Sequence, residues 1–431
     1  MPGTSLLYRG AVRLATALLP AAALLDAKLA RAREVRTGVL ERVRRWGREG
    51  RDLGRPLVWF HAPSVGEGLQ AEAVIRAFRE AHPGCQLVYT HFSPSAETLA
   101  KRIGGDFADY LPWDTRGTVD ALLDALRPTV LVFTKLDLWP ELATRAAARG
   151  IRVVLVAATV RPGSGRLGWP ARDLLAPGYA ALDAIGAVDP ADAVRLSALG
   201  ARPERIAVTG DPRYDSVIAK VGAVRADDPL LAWGKGAPTL VAGSTWEGDE
   251  AVILPAFAAV RARFPTARLI LVPHEPTAAH LTQVEGFART LDLPTPVRLS
   301  AATSPVPFLL VDRVGVLMAL YGGGTMAYVG GGYQRAGLHS VVEPAAWGIP
   351  IMMGPGWTEN RDAAALRAAD GAVGLPAGSG AVAELTRHWS AWLADDAERA
   401  RRGARARGIV DSGLGASRRS ADLVAAGLPA R

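Results

Sequence analysis

Between residues 57 and 159, and again between 239 and 354, short runs almost free of polar residues alternate with stretches of helical periodicity. A strand that is apolar at every position must be covered on both faces, and a parallel sheet flanked by helices meets that need. The first set reads LVWFHA (57–62), QLVYTHF (86–92), TVLVFTK (129–135) and RVVLVAAT (152–159) as strands. Helices are expected over 65–81, 95–103 and 141–150. The second set reads TLVAGST (239–245), RLILVPH (268–274), FLLVD (308–312), MAYVGGG (326–332) and IPIMMG (349–354) as strands, with a helix over 249–264. A loop-rich stretch at about 211–236 separates the two. The expectation is an α/β chain of two Rossmann-like, doubly wound lobes, residues 56–215 and 216–431, facing a central cleft. Ligands on such sheets sit beyond the carboxyl ends of the strands.

The 431 residues are 49% hydrophobic and 21% charged, enough apolar surface for two cores. A single cysteine, Cys85, leaves no disulfide framework and no thiolate zinc site. The net charge of +8 is concentrated: residues 1–55 carry twelve basic and five acidic side chains, a net +7. The remainder is nearly neutral and holds no nucleic-acid recognition motif, so nucleic acid is not expected as a partner. Within the basic collar, LATALLPAAALL (14–25) is uncharged but interrupted by Pro20, and it falls short of the roughly 20 residues a spanning helix needs. Residues 1–55 therefore read as a membrane-associated segment: an in-plane or shallow apolar anchor, with the Arg-rich stretch 28–55 toward anionic headgroups. A signal peptide and an ordinary packed helix with a solvated charged face are the other readings.

The loops after the expected strands hold the candidate chemistry. Glu67, in His61-Ala62-Pro63-Ser64-Val65-Gly66-Glu67-Gly68, complements a helix dipole, or it is a general base whose pKa rises with partial burial. Lys135 and Asp137 contact a ligand, or one of them caps the helix after Pro140. Arg213, in Gly210-Asp211-Pro212-Arg213, is a phosphate clamp or a solvated loop residue. Ser244 and Thr245 precede a helix start that would bind phosphate, or they cap it. Pro273 and His274 end a strand, where a lone His is more often structural. Gly330, Gly331 and Gly332 would let a ligand approach the backbone. His339, Ser340 and Glu343 follow; Glu343 would hold ribose hydroxyls, or form a capping box with Ser340. No Walker loop, HExxH pair or GxSxG elbow occurs, which argues against a P-loop ATPase, a zincin and a common hydrolase. No carboxylate cluster suited to a divalent ion is evident, so no metal or other cofactor is expected.

Taken in order, SVGE (64–67), YLPWD (110–114), LDLWPEL (136–142), GDPRYD (210–215), GSTWEGDE (243–250), VGGG (329–332), EPAAWGIP (343–350) and MGP (353–355) resemble the 3-deoxy-D-manno-octulosonic acid (Kdo) transferases of lipopolysaccharide synthesis. The resemblance implies an inverting GT-B glycosyltransferase with CMP-Kdo as donor and a lipid A precursor as acceptor. It also implies a place at the cytoplasmic face of the inner membrane, among anionic lipids. It implies Glu67 as base, with Ser64 and Gly66 on the acceptor side. It implies a CMP-Kdo site drawn from Pro273, His274, Gly315, Val316, Leu317, Ser340 and Glu343, with Arg213 stabilising charge. Lys135 would help Arg213 offset the departing phosphate. The chain departs from the family pattern in three places. It has Lys135-Leu136-Asp137 for Glu-Thr-Glu, Pro273-His274-Glu275-Pro276 for Pro-Arg-His-Pro, and His339-Ser340-Val341-Val342-Glu343 for His-Asn-Pro-Leu-Glu. The lysine reverses a charge. The rival readings are a UDP-sugar-dependent GT-B transferase of the cell envelope and a non-catalytic sugar-nucleotide-binding membrane scaffold.

Overall fold

The computed structural model describes residues 3–429. The chain forms two compact units, one running to Ser216 and resuming at Leu414, the other Val217–Gly413. The first holds a parallel sheet of β1 (Leu57–His61), β2 (Gln86–His91), β3 (Phe107–Tyr110), β4 (Val130–Thr134), β5 (Arg152–Ala158), β6 (Ala184–Ala187) and β7 (Ile206–Val208), in the order β3-β2-β1-β4-β5-β6-β7. The second holds β8 (Thr239–Thr245), β9 (Arg268–Pro273), β10 (Val297–Arg298), β11 (Phe308–Leu310), β12 (Met326–Val329), β13 (Ile351–Met353) and β14 (Ala372–Gly374), in the order β10-β11-β9-β8-β12-β13-β14. Apart from one outer strand in each, both sheets follow the doubly wound order of dinucleotide-binding folds. Every residue of β1, β2 and β4 is buried, as expected of mainly apolar strands covered on both faces.

Three differences from the sequence reading have clear causes. The stretch 211–236 is not mainly loop: it contains the helices Pro212–Ala223 and Pro229–Ala232, each opened by a proline whose missing N–H costs nothing there. The unforeseen strands β3, β6, β7, β10 and β14 have only two to four residues, too few to display a period. The last segment does not stay with the second unit. Its helix Ala416–Ala425 packs on the first, where Asp215 accepts from the N–H groups of Gly415 and Ser417 at 2.7 and 2.6 Å, and the Arg419 guanidinium donates to the Thr209 carbonyl.

The N-terminal segment forms α1 (Leu6–Ala22), α2 (Ala27–Glu34) and α3 (Val39–Glu49). Pro20 sits in the last turn of α1 and does not interrupt it. No residue of α1 is buried, and Leu7, Leu14 and Leu18, which recur on one side of the helix, are 78%, 61% and 56% exposed. Among the described residues no single helix is long and apolar enough to cross a membrane. The root of α1 is tied down: Tyr8 donates to Asp114, while Arg9 and Thr4 hold the buried Glu141.

The basic collar is only in part a free surface. Arg42 pairs with Asp109, Arg51 donates to the carbonyls of Leu126 and Arg55, and Arg55 to those of Gly84 and Cys85. Arg36 is buried, donates to the carbonyls of Leu111, Ala32 and Phe92 at 3.1, 2.6 and 2.6 Å, and lies 3.7 Å over the Phe92 ring. These arginines attach α3 to the sheet, and composition alone cannot separate them from solvated ones. Arg36→Ala leaves the carbonyls short of donors and removes a cation–π contact, so it is expected to destabilise the first unit by about 2–3 kcal/mol in chemical denaturation. Among the described residues the side chains of Arg13, Lys28, Arg33, Arg44, Arg45 and Arg48 make no ion pair or hydrogen bond and remain available to an anionic surface.

Candidate active site and nucleotide site

In the first unit the loops after β1 and β4 converge. The loop after β1 leads into α4 (Val65–Ala81), with Ser64 as its N-cap residue in extended conformation. The Ser64 hydroxyl makes no capping bond to the helix and instead contacts the Glu67 carboxyl. Lys135, just past β4, donates from Nζ to Glu67 Oε1 at 2.8 Å. Glu67 is not merely a dipole-complementing residue, because its carboxyl is engaged by a second loop. Its side chain is 17% exposed, so it is confined yet reachable. Burial pushes the Glu67 carboxyl up, but the Lys135 ammonium and the Ser64 hydroxyl outweigh that and hold it below the usual carboxylate value. The expected rise is thus reversed by the ion pair. Gly66 is exposed, whereas a Cβ at Gly68 would meet Leu99 Cδ2 at 2.5 Å, so the turn needs glycine for its packing on β2 and its neighbours.

Behind this pair lies a network not foreseen from sequence. His61, fully buried at the end of β1, contacts Asp137 Oδ2 through Nε2 and Thr90 Oγ1 through Nδ1, both at 3.0 Å. Trp139 Nε1 donates to the same Asp137 oxygen at 2.9 Å. An Asp137 carboxylate can only accept, so His61 carries a proton on Nε2. Burial raises the Asp137 carboxyl, but His61 and Trp139 bring it below its ordinary value. Neither Lys135 nor Asp137 caps the following helix, Pro140–Ala148; Asp114 does, accepting from the N–H groups of Glu141 and Leu142 at 2.9 Å each. That assigns a structural task to the aspartate of YLPWD. Arg213, also in the first unit, is folded back on Asp211 through two bonds of 2.9 and 2.7 Å.

In the second unit Trp246, His274 and His339 form a row of rings. Trp246 and His274 centroids lie 4.9 Å apart, and His274 and His339 centroids 4.3 Å apart. Trp246 Nε1 donates to His339 Nε2 at 3.0 Å. Burial, then the neighbouring His274, lowers the His339 pKa, so the ring is neutral near neutral pH. His274 is exposed and follows Pro273, the last residue of β9.

The helix after β8, Glu247–Arg263, is a poor phosphate site, contrary to expectation. Its first turn carries Glu247, Asp249 and Glu250, whose charge repels an anion. Thr245 neither caps it nor faces outward: its hydroxyl donates to Glu250, which also binds His280 at 2.9 Å. Ser244 is held at φ 54°, in the left-handed region. The glycines after β12 also differ from expectation. A Cβ at Gly330 would stand 2.2 Å from the Ser244 carbonyl oxygen, at Gly331 2.5 Å from the Gly337 oxygen, and at Gly332 2.6 Å from Gly354 Cα. The chain itself, rather than a ligand, occupies that space.

Asp249 organises these loops. Fully buried, it accepts from Trp246 N, Gly331 N and Tyr328 Oη at 3.1, 2.8 and 3.0 Å. The only sequence signal for it was its place in GSTWEGDE.

Glu343 lies in the first turn of the helix Val342–Ala346, whose N-cap is Val341 with no side-chain bond, so the capping box with Ser340 does not form. Ser340 is exposed, and Glu343 has no hydrogen bond or ion pair among the described residues. Burial raises its pKa, partly countered by Lys220. Gly315, at φ 85° with open space beside it, begins the turn Gly315-Val316-Leu317 that starts the helix Leu317–Gly323, which has no acid in its first turn.

Residues 36–216 match the family described as 3-deoxy-D-manno-octulosonic-acid transferase (kdotransferase). The chain is 29% identical over 385 residues to the 3-deoxy-D-manno-octulosonic acid transferase of Bordetella pertussis, covering 80% of this chain and 87% of that one. It is 27% identical over 311 residues to the enzyme of the same name from Haemophilus influenzae, covering 69% and 70%. Among solved structures it is similar to the UDP-GlcNAc 2-epimerase of Neisseria meningitidis, with a TM-score of 0.59 at 12% identity over 84% of this chain and 99% of that one. The structural likeness bears on fold alone and agrees with the GT-B class expected from the sequence.

Proposed function

We propose, from the match of residues 36–216 to the 3-deoxy-D-manno-octulosonic-acid transferase family and from the similarity to two such transferases, that the chain moves Kdo from CMP-Kdo to a lipid A precursor, with inversion. The observation that carries the reading is Glu67: the carboxylate of SVGE stands at the C-terminal edge of the first sheet, kept ionised by Lys135 and still open to a substrate. In the reaction an acceptor hydroxyl oxygen forms a bond to the anomeric carbon of Kdo. The bond from that carbon to the phosphate oxygen breaks, CMP leaves with its electron pair, and Glu67 takes the hydroxyl proton. The donor is held by the second unit, with the His274–His339 row offering ring faces, the Gly315–Leu317 turn offering backbone N–H groups, and the unpaired Glu343 accepting ribose hydroxyls. Arg213 offsets the charge that builds on the departing phosphate. No metal takes part.

The test is to mix the full chain with CMP-Kdo and a defined lipid A precursor, with EDTA present, and to follow CMP release and the acceptor's mass. One or more added Kdo masses with matching CMP is the expected result. Binding of UDP in preference to CMP by calorimetry would transfer the reading to a UDP-sugar enzyme. Donor binding without release of CMP would leave a scaffold.

We further propose that the protein works at the cytoplasmic face of the inner membrane, with the exposed leucines of α1 in the interface and Arg13, Lys28 and Arg33 beside anionic headgroups. Replacing Leu7, Leu14 and Leu18 together by Ser removes apolar surface that is mostly exposed. It is expected to leave the thermal midpoint unchanged and to abolish co-sedimentation with anionic vesicles. Undiminished vesicle binding would remove α1 from the interface.

A further inference from the structure

Lys135 is where this chain departs most sharply from the pattern it resembles, and the structure gives that lysine one partner. Its Nζ lies 2.8 Å from Glu67 Oε1, and its ammonium makes no other ion pair or hydrogen bond among the described residues. Its backbone is held at φ 65°, a conformation that a residue with a Cβ adopts only when its surroundings impose it. The surroundings are on view. Lys135 N donates to the Val156 carbonyl at 2.8 Å. The next carbonyl, of Leu136, accepts from Arg166 at 2.7 Å. Asp137 is fastened to His61 and Trp139. The loop after β4 is therefore anchored at three successive residues, and its left-handed turn delivers one ammonium to one carboxylate.

The other groups facing Glu67 are few. Ser64, at the start of its own helix, gives a hydroxyl. From β2, Tyr89 faces both Glu67 and Glu72, and burial keeps its phenol protonated. Among the described residues Lys135 is thus the one cation in contact with Glu67.

We infer that Lys135 is a positioning residue that holds the Glu67 carboxylate in a single orientation and favours its ionised form, through an ion pair made across two loops. The inference rests on Glu67 being the base. It explains how the site accommodates a reversed charge: a second carboxylate here would compete with Glu67 for a proton, whereas the ammonium favours its release. It also takes Lys135 out of the task of offsetting phosphate charge.

The test is the pH dependence of kcat/KM for the full chain with CMP-Kdo and a defined lipid A precursor. Lys135→Met is expected to move the acid limb upward by about one pH unit or more, the size of effect a contacting opposite charge exerts. Lys135→Glu is expected to move it further, and Lys135→Arg to keep it near the wild-type position. A merely structural lysine would lower the rate at all pH values without moving the limb. Thermal midpoints accompany each profile, and Lys135→Gln replaces the Met variant if that one does not fold. An acid limb at the wild-type position in both the neutral and the Glu variants overturns the inference. Glu67→Gln separates the two claims: if that variant turns over normally, the base assignment falls and the inference with it. If it is inactive while the limb stays fixed in the Lys135 variants, only the inference falls.

Discussion

Glu67→Gln is expected to lower kcat by about a thousandfold, the contribution typical of a positioned general base, while CMP binding measured by calorimetry stays as in the wild type. The substitution preserves size and leaves an oxygen that can accept from Lys135 Nζ, now 2.8 Å away, so the loop after β4 keeps its anchor. It removes only the capacity to take a proton. The residues proposed to hold the donor through ring faces, backbone N–H groups and ribose hydroxyls lie in the second unit, far in sequence from position 67. A loss confined to kcat is therefore the signature of a base, whereas a raised KM for the lipid with kcat preserved would mark Glu67 as a binding group. Turnover within threefold of wild type would remove it from the chemistry.

Asp249→Ala is expected to destabilise the second unit by about 4 kcal/mol. It leaves three donors, Trp246 N, Gly331 N and Tyr328 Oη, without their acceptor in a dry interior, and each such loss costs about 1–3 kcal/mol. For a unit of this size that is a fall in thermal midpoint on the order of 10 °C. The same change frees Trp246, and with it the hydrogen bond to His339, so CMP affinity is expected to fall at temperatures where the variant is still folded. Asp249→Asn, which keeps one acceptor oxygen, should lose about half as much. Burial raises the Asp249 carboxyl, so the native state binds that proton more tightly than the unfolded chain. The stability linked to it therefore declines as pH rises from the usual aspartate range upward, a slope that Asp249→Asn abolishes. A thermal midpoint within about 2 °C of wild type for the Ala variant would mean that the loops around β8 and β12 hold their shape by other means.

The legible parts of this protein were those carried by runs long enough to show a period or by residues adjacent in sequence. The strands β1, β2, β4, β5, β8 and β9 declared themselves because burial on both faces leaves mostly apolar side chains along them, with polar ones near the ends. The two-sheet plan followed from their spacing. The residues of SVGE, the strand-end His274 and the Gly-rich turn after β12 were visible for the same local reason. The short strands β3, β7 and β14 were not, since three or four residues are too few to display a period.

Partnership was beyond local reading. The class of fold, the loops in which chemistry would sit and the concentration of charge at one end are all readable from neighbouring residues along the chain. The sequence could not say that Glu67 faces Lys135 across 68 positions, that Asp114 caps a helix 27 residues on, that Arg36 is an internal strut while Arg44 is solvated, or that the glycines after β12 make way for the chain itself. These are contacts between distant segments, settled when the chain folds. A carboxylate's proton affinity and a side chain's freedom depend on which atoms lie within a few ångströms, and in a doubly wound sheet the strands that bring those atoms together are seldom consecutive.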